Sequence, residues 1–399
     1  MESKGHVLFL TTANLATNPR LVKELHLART VFKRIDVIEF SLGGWSDDLT
    51  KNLKLDFPDV VFFDLSGTRK PWWRWFFVSI LEKVLKNIHV NLLNIKYVAY
   101  SLNKRTIVLN NYISSLEGNY NWVVAHNPGA FYPAIELAKK YKSKLGLDIE
   151  DYHPGEYNDS DLSNRMLKMM KYVLPKADYC SFAAPLIQLE VEKYVANNSG
   201  NWFTVINGFP QSEFMRPIRT KSSKIKMIWF SQNIAPGRGL EKFISVMGEF
   251  KDDIELHLVG ELSDDNRKLL FNDSHDFMIH APMKQMELHQ FLSTFTVGLV
   301  TDPPINRNRE LAITNKIIAY SQAGLYILSV SADGHDQFLT ESELNYRIIE
   351  NDKKEIRQAL VYLISNHDSI KNCQHKQYKY ACVNSWESIN SKLTEIWQN

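Results

Sequence analysis

Two kinds of pattern alternate along the chain. Short continuous apolar runs, which predict buried strands, start with HVLFLTT at residues 6–12 and continue as IDVIEF, VVFFDL, WVVAHN, KLGLDIE, ADYCSFAA and FTVING. Between them lie segments with apolar residues at helical spacing, such as NPRLVKELHLARTVF, AFYPAIELAKKY and SNRMLKMMKYVL. Apolar strands separated by amphipathic helices predict a parallel sheet that is covered on both faces.

The same alternation starts again in the second half of the chain. Strand-like runs are KIKMIWFS, IELHLVG, FMIHAPM, VGLVTD and LYILSV, and helical segments include GLEKFISVMGEF, MELHQFLSTF and TNKIIAYSQAG. The polar segment FPQSEFMRPIRTKSSK at residues 209–224 is interpreted as the interdomain linker. We therefore predict an α/β protein of two doubly wound, Rossmann-like domains, residues 1–210 and 211–384, followed by a C-terminal helix at 385–399. Their ligands are expected in a cleft at the carboxyl ends of both sheets.

Composition narrows the class of protein. Of the 399 residues, 44% are hydrophobic and 23% are charged, as in soluble globular proteins. The net charge of +2 creates no field that would favour nucleic acid, so no nucleic-acid partner is expected. The three cysteines show no paired spacing, and no apolar run approaches the ~18 residues of a spanning helix. Without a signal-peptide pattern, the expectation is a cytoplasmic protein.

One segment interrupts the alternation. RKPWWRWFFVSILEKVLKN, at residues 69–87, combines three tryptophans and two phenylalanines with lysines and arginines. On a helix its apolar residues form one stripe: Trp73, Phe77, Ile80, Leu81, Val84 and Ile88. Two interpretations stay open. Residues 69–88 either bind an anionic membrane at the inner face of the cell membrane, as a peripheral protein does, or form a buried helix with solvated basic residues.

Two loops of the second domain are candidates for holding an anion. SQNIAPGRGLE, at residues 231–241, projects Arg238 from a glycine turn before a helix, and Gly239 allows close backbone approach. In TNKIIAYSQAG, Thr314 predicts a helix N-cap, and Asn315 and Lys316 follow in the first turn. A lysine there opposes the helix dipole, so a bound anion would compensate it. The alternative in each case is an exposed basic residue without function.

The first domain carries a polar cluster after a strand. LDIEDYHPGE places Asp148, Glu150 and Asp151 at the carboxyl end of a strand, followed by His153. His126 ends another strand, in VVAHNPGAFYPA. Such residues could perform acid–base chemistry or bind a cation, or they could cap backbone amides. No Walker loop, GxGxxG, GxSxG, HExxH or paired-cysteine pattern occurs in the sequence.

Together these segments resemble the family 4 glycosyltransferases of GT-B fold. The resemblance rests on NPRLVKEL after the first strand, AHNP, LDIEDYHPGE, INGFP, GRGLE and TNKIIAYSQAG, and it extends over nearly the whole chain. It implies a retaining transferase of hexosyltransferase type that uses a nucleotide-diphosphate sugar as donor and a glycan or lipid-linked molecule as acceptor, in the synthesis of polysaccharide or glycoconjugate. The first domain would bind the acceptor, the second the donor, and the C-terminal helix would cross back to the first domain. No metal or other cofactor is expected.

The resemblance also implies roles for individual residues. Those expected at the reacting centre are His126, Arg238 and Glu310. Those expected at the donor are Gln232, Arg238, Gly239, Thr314, Asn315 and Lys316. Those expected on the acceptor side are Asn14, Arg20, Asp151 and His153.

The sequence departs from the family at one conspicuous position. The family has a ribose-binding glutamate five residues before the glycine that ends the helix, and here that position is Ala319. The first glutamate of the family pair falls at Leu311, next to Glu310. Loss of one charge-assisted hydrogen bond costs about 1.5–3 kcal/mol of binding free energy. Two alternatives therefore remain beside the transferase: a non-catalytic partner-binding protein of this fold, and a sugar-nucleotide epimerase.

Overall fold

The computed structural model describes residues 5–68, 70–196, 200–218, 222–271, 277–383 and 385–399. The chain divides into two compact units: unit 1 comprises Met1–Val205 and Ser391–Asn399, and unit 2 comprises Ile206–Asn390. Arg69, at the start of the aromatic segment, lies outside the described residues.

The described part of unit 1 contains a seven-stranded parallel sheet, in the order β3-β2-β1-β4-β5-β6-β7. Its strands are β1 (His6–Thr11), β2 (Arg34–Ser41), β3 (Val60–Ser66), β4 (Trp122–His126), β5 (Lys144–Ile149), β6 (Tyr179–Phe182) and β7 (Trp202–Thr204). Its helices are α1 (Pro19–Ala28), α2 (Trp45–Lys54), α3 (Trp72–Lys86), α4 (Ile95–Leu102), α5 (Lys104–Ser114), α6 (Pro128–Tyr141), α7 (Ser160–Val173) and α8 (Pro185–Glu192).

Unit 2, within its described residues, repeats the design with six parallel strands, in the order β10-β9-β8-β11-β12-β13. The strands are β8 (Ile225–Asn233), β9 (Ile254–Glu261), β10 (Met278–His280), β11 (Val297–Val300), β12 (Tyr326–Val330) and β13 (Tyr346–Ile349). The helices are α9 (Leu240–Met247), α10 (Asp264–Leu270), α11 (Gln285–Leu292), α12 (Arg307–Leu311), α13 (Asn315–Gln322), α14 (Asp333–Thr340), α15 (Lys353–Ser365), α16 (His367–Val383) and α17 (Trp386–Ile389). A last helix, α18 (Ser391–Gln398), belongs to unit 1.

The central strands are buried on both faces, which explains why they appear in the sequence as continuous apolar runs. In β1, Phe9 lies opposite Val37 of β2 and Val124 of β4, and none of the three side chains is exposed. Alternating strand and helix in the chain order places helices against the parallel strands. The predicted fold class, α/β with two parallel sheets and flanking helices, is confirmed.

Two boundaries along the chain separate the units, and the predicted domain limits stay predictions. The first falls between Val205 and Ile206, and the described part of the predicted linker belongs to unit 2. There, the amide of Ile218 donates to the carbonyl oxygen of Ser293 at 2.8 Å. The C-terminal segment is two helices, of which α17 counts with unit 2 and α18 with unit 1.

The aromatic segment forms α3, and most of its predicted stripe faces outward. Trp73, Phe77, Ile80 and Val84 are all exposed, whereas the side chains that α3 buries include Trp75. The alternative in which this stripe packs in the core is therefore wrong.

Candidate functional site

Unit 2 places its polar candidates where the strand order of its sheet reverses. From β8 the chain continues to β9 and β10 on one side, and then returns to β11 on the other side of β8. In open parallel sheets, ligands bind at the carboxyl ends of the strands at such a reversal. Arg238 follows β8 and Asp302 follows β11, so both belong to this edge.

The loop between β8 and α9 fixes the backbone of Arg238. Gly237 and Gly239 flank it with φ angles of 78° and 79°, a conformation that favours glycine. A Cβ atom at Gly239 would overlap the carbonyl oxygen of Thr301, so the loop lies directly against the end of β11. The Thr301 hydroxyl donates to the carbonyl oxygen of Arg238 at 2.7 Å and accepts from the indole N–H of Trp229 at 2.9 Å. The Arg238 side chain stays partly exposed.

Lys316, in the first turn of α13, is a buried cation that is only 6% exposed. Its Nζ lies 2.7 Å from Oδ2 of Asp302 and 5.1 Å from the ring centre of Trp229. Burial lowers the pKa of Lys316, the Asp302 carboxylate opposes that shift, and the charges of Arg238 and Arg309 lower the pKa further. The charges of both arginines therefore act on the ammonium. We call Arg238, Arg309 and Lys316 the cation cluster.

Asp302 changes the interpretation of Lys316. The sequence predicts a lysine without local compensation at the amino end of a helix, and the structure supplies a carboxylate at hydrogen-bonding distance. The alternative of an exposed first-turn lysine is excluded by its burial. Lys316 pairs with Asp302, while Arg238 and Arg309 bring two further positive charges that act on Lys316, so the cluster retains positive charge for an anion.

The amino end of α13 adds backbone donors. Thr314 has the extended backbone of an N-cap, but its side chain makes no capping hydrogen bond. Asn315 is exposed, and its Oδ1 accepts from Nδ2 of Asn207 at 3.2 Å. The first-turn amides and the positive end of the helix dipole favour an anion beside Lys316.

Three further predicted positions occur in the same unit. Gln232 is exposed near the carboxyl end of β8. Glu310 lies on α12, where its Oε2 is 2.8 Å from Nη1 of Arg307. Ala319 is 2% exposed, and it belongs with Tyr320 to an apolar core cluster of unit 2. The roles of Gln232 and Glu310 at a donor stay predictions.

The sequence did not identify Trp229, Thr301 or Asp302 as candidates. Thr301 and Asp302 end the strand-like run VGLVTD, and this position at a carboxyl end was the available signal. Trp229 offers no such signal, because a fully buried tryptophan in an apolar strand looks like core.

Unit 1 contains a buried ion network at the carboxyl ends of β4 and β5. Asp148 accepts from Nε of Arg20 at 2.7 Å and from the hydroxyl of Ser181 at 2.7 Å, and its Oδ2 lies 3.3 Å from Nδ1 of His126. The other ring nitrogen of His126 lies 3.2 Å from Oε2 of Glu24. All five side chains are at most 2% exposed. We call these five residues the ion network.

Charges within the ion network decide its protonation. Burial alone would lower the pKa of His126, but the carboxylates of Glu24 and Asp148 outweigh it and raise the pKa to about 10. Burial would raise the pKa of Asp148, but the adjacent Arg20 and His126 hold it well below its usual range. At neutral pH the ring of His126 is an imidazolium between two carboxylates. Its predicted role beside a transferred sugar stays a prediction.

The four predicted acceptor-side residues differ in accessibility. Arg20 is fully buried and also donates to the carbonyl oxygen of Val205 at 2.7 Å. Asn14 is 1% exposed and caps the short turn after β1, where its Oδ1 accepts from the amide of Thr17. His153 is buried, with Nδ1 2.8 Å from Oε2 of Glu156, and Asp151 is partly exposed. The structure gives Arg20 and Asn14 roles within the fold, and contact with an acceptor stays a prediction.

Two groups among the described residues have ligand atoms close enough to hold a metal ion: Glu24–His126–Asp148 and Asp151–His153–Glu156. In the first group, Arg20 and the imidazolium already balance the carboxylate charges. The second group is partly exposed, and Nδ1 of His153 is already bound to Glu156. That the protein needs no metal stays a prediction.

Comparisons with known proteins give similarity at the level of the fold. No protein-family model matches the sequence, and no curated protein sequence does so. Among solved structures, HepE of Anabaena in complex with UDP and glucose has a TM-score of 0.67 at 12% identity, over 98% of this chain and 99% of that chain. S. aureus TarM, a mutant in complex with fondaparinux, α-GlcNAc-glycerol and UDP, has a TM-score of 0.68 at 11% identity, over 98% of this chain and 100% of that chain.

A third similar structure is that of a glycosyltransferase from Rickettsia africae ESF-5, with a TM-score of 0.65 at 12% identity, over 100% of this chain and 98% of that chain. Each of these likenesses covers both sheets and their helices. The chain therefore has the GT-B fold.

Proposed function

We propose that this protein is a glycosyltransferase that takes its sugar from a nucleotide-diphosphate sugar. The observation that carries the proposal is the cation cluster at the strand-order reversal of unit 2, where Lys316 is buried beside Asp302 and the loop of Arg238 is held against the end of β11. The fold supports it, because HepE and TarM share the fold and were solved with UDP.

The cluster suits the chemistry of the leaving group. When the bond between sugar and phosphate breaks, the diphosphate gains negative charge. Cations and amides that already face it stabilise the transition state, and such electrostatic stabilisation usually lowers the barrier more than any other effect. Arg238, Lys316 and the first-turn amides of α13 supply these groups, so the proposed reaction requires no metal.

The finer features of the proposal come from the family resemblance. We propose a retaining transfer of a hexose to a glycan or lipid-linked acceptor. Glu310 would contact hydroxyls of the donor sugar, and His126 would have a catalytic role, as the resemblance implies. Asp151 and His153 would border the acceptor.

A binding experiment tests the proposal directly. Calorimetric titration with UDP should show binding to the wild-type protein, and Arg238→Ala should weaken it by about 10- to 100-fold, the effect of losing a charge-assisted contact of ~1.5–3 kcal/mol. The matched control is Arg357→Ala, which removes a surface arginine paired with Glu249. This control should bind UDP like the wild type.

A donor panel extends the test to the reaction. Nucleotide sugars with different bases and sugars are incubated with the protein, and release of the nucleoside diphosphate is measured. If the folded protein binds none of the nucleotides or nucleotide sugars, the glycosyltransferase proposal is wrong.

One observation favours a second candidate, a protein that binds nucleotide sugars without transferring them. The position of the family's ribose-binding glutamate is Ala319, buried in the core of unit 2. Donor binding without any release of nucleoside diphosphate, in the presence of candidate acceptors, would select this alternative.

A further inference from the structure

Helix α3 exposes a large apolar face. Trp72 is 73% exposed and Phe77 is 65% exposed, although most side chains of this kind are buried in globular proteins. Residues of this face are spaced so that they share one side of the helix. We call this set the α3 face: Trp72, Trp73, Phe76, Phe77, Ile80 and Val84, all of them exposed.

The opposite side of α3 is anchored firmly to unit 1. Trp75, Val78 and Leu85 are buried, so the helix packs against the fold. Arg165 of α7, itself 1% exposed, donates to the carbonyl oxygens of Leu85 at 3.0 Å and of Ile88 at 2.6 Å. The α3 face is therefore a fixed feature of the surface, because the helix that carries it is held by both packing and hydrogen bonds.

A second residue of α7 holds the segment after α3. Lys168 donates to the carbonyl oxygens of Val90 and Leu93, each at 2.8 Å. The carboxyl end of α3 and the following turn are thus bound by two cations of the same helix. These hydrogen bonds help to hold the helix that carries the exposed aromatic rings.

The charges around the α3 face indicate its partner. From Lys70 to Lys86 there are four basic residues and one acid, Glu82, whose carboxylate is 3.2 Å from Nζ of Lys86. Lys83 is exposed on the same helix as the aromatic rings. Lysine is depleted in the apolar centre of protein interfaces, whereas lysine beside tryptophan is characteristic of helices that bind anionic lipid surfaces.

We propose that the α3 face binds an anionic lipid bilayer, with α3 lying in the plane of the membrane. The tryptophan rings enter the headgroup region, the phenylalanines and aliphatic side chains enter the acyl boundary, and the lysines contact lipid phosphates. None of the helices among the described residues is long and apolar enough to cross a membrane. This inference does not depend on the proposed transferase activity.

Vesicle flotation of the full-length protein tests the proposal. Vesicles of about 30% phosphatidylglycerol in phosphatidylcholine should carry the wild-type protein to the top of the gradient at low salt, and pure phosphatidylcholine vesicles should carry much less. Trp73→Ser/Phe77→Ser should reduce the bound fraction at least about tenfold, because two apolar side chains no longer enter the lipid. Lys83→Gln should reduce it about fivefold, the worth of one lysine near an anionic surface.

The matched control changes equally exposed residues elsewhere in unit 1. Trp45 is 64% exposed on α2 and Leu55, which follows that helix, is 77% exposed. Trp45→Ser/Leu55→Ser should float like the wild type. Thermal unfolding of each variant should be unchanged, because none of the altered side chains is buried.

Three results would overturn the proposal. The first is a wild-type protein that does not float with the anionic vesicles, or floats equally well with neutral ones. The second is flotation of Trp73→Ser/Phe77→Ser at the wild-type level. The third is a wild-type dimer that this double variant dissociates without any lipid binding, which would make the α3 face a contact between copies.

Discussion

The indole N–H of Trp229 donates to the hydroxyl of Thr301, and the same indole ring lies 5.1 Å from the ammonium of Lys316. Thr301 in turn donates to the carbonyl oxygen of Arg238. One buried tryptophan therefore contacts Lys316 through its ring and is linked to Arg238 through its N–H. The buried core of unit 2 therefore helps to fix the distance between Lys316 and the backbone of Arg238. The predictions for unit 2 follow from this.

Thr301→Val should weaken UDP binding about fivefold, because the loop that carries Arg238 loses a hydrogen bond worth ~1 kcal/mol. Calorimetric titration measures the affinity. Thr294→Val is the matched control, since the Thr294 hydroxyl donates locally to the carbonyl oxygen of Phe291. If Thr301→Val and the wild type bind UDP with equal affinity, the hydrogen bond from Thr301 to the backbone of Arg238 does not contribute to binding.

Lys316→Met should lower the free energy of unfolding by about 1–3 kcal/mol, because Asp302 loses its partner while it remains largely buried. Lys316→Met/Asp302→Leu should recover most of this stability, because neither charge is then left unpaired. Urea unfolding measures both. The double variant should bind UDP about 10- to 100-fold more weakly than the wild type, because it lacks one charge-assisted contact. Binding at the wild-type affinity would show that Lys316 does not belong to the proposed site.

Gly239→Ala should destabilise the protein more than Gly237→Ala does. Both glycines have positive φ angles, of 79° and 78°, so both substitutions cost about 1–2 kcal/mol of backbone strain. Only at Gly239 does the added methyl group overlap the carbonyl oxygen of Thr301, whereas at Gly237 it meets none of the described residues. Thermal unfolding of the two variants, compared with each other, isolates the close approach of the loop to β11. Equal melting temperatures would contradict it.

The stability of unit 1 should depend on pH through His126. Folding raises the pKa of His126 from 6.5 to about 10, so its contribution is fully present below pH 6.5 and is lost as the pH rises through 10. Over that window the free energy of unfolding should fall by up to about 1.4 kcal/mol per pH unit.

Urea unfolding at pH values between about 6 and 9 measures this slope. His126→Gln should show a shallower slope than the wild type, and His375→Gln, which changes an exposed histidine on α16, should keep the wild-type slope. Identical slopes for His126→Gln and wild type would mean that the ring is not charged in the folded protein.

The hydrophobic pattern of the sequence predicted the positions of buried strands better than the contacts of individual side chains. Central strands such as β1 and β12 are buried along almost their whole length, so each appears as an uninterrupted apolar run. The edge strand β13 was not predicted, because only one of its four residues, Ile349, is fully buried and its pattern is mixed. Periodicity found α3 but could not decide which side of it is buried, since both sides carry aromatic residues.

Side-chain partners could not be predicted, because they are distant in sequence. Arg20 and Asp148 are separated by 128 positions, and no local pattern links them. The sequence placed Lys316 at a helix start correctly, yet its carboxylate partner Asp302 comes from the end of another strand. Strand ends at the reversal of a parallel sheet identify where a site is, while only the folded structure shows which charges meet there.

The position of helix α18 determines when unit 1 can finish folding during translation. Trp397 is 4% exposed; its ring centre lies 5.5 Å from that of Phe32, and its indole N–H donates to the hydroxyl of Tyr179 at 3.2 Å. These partners are synthesised long before Trp397. During translation, the site in unit 1 that Trp397 fills therefore stays unfilled until all of unit 2 has been synthesised. Deletion of Ser391–Asn399 would destabilise unit 1, although nearly all of that unit is synthesised first.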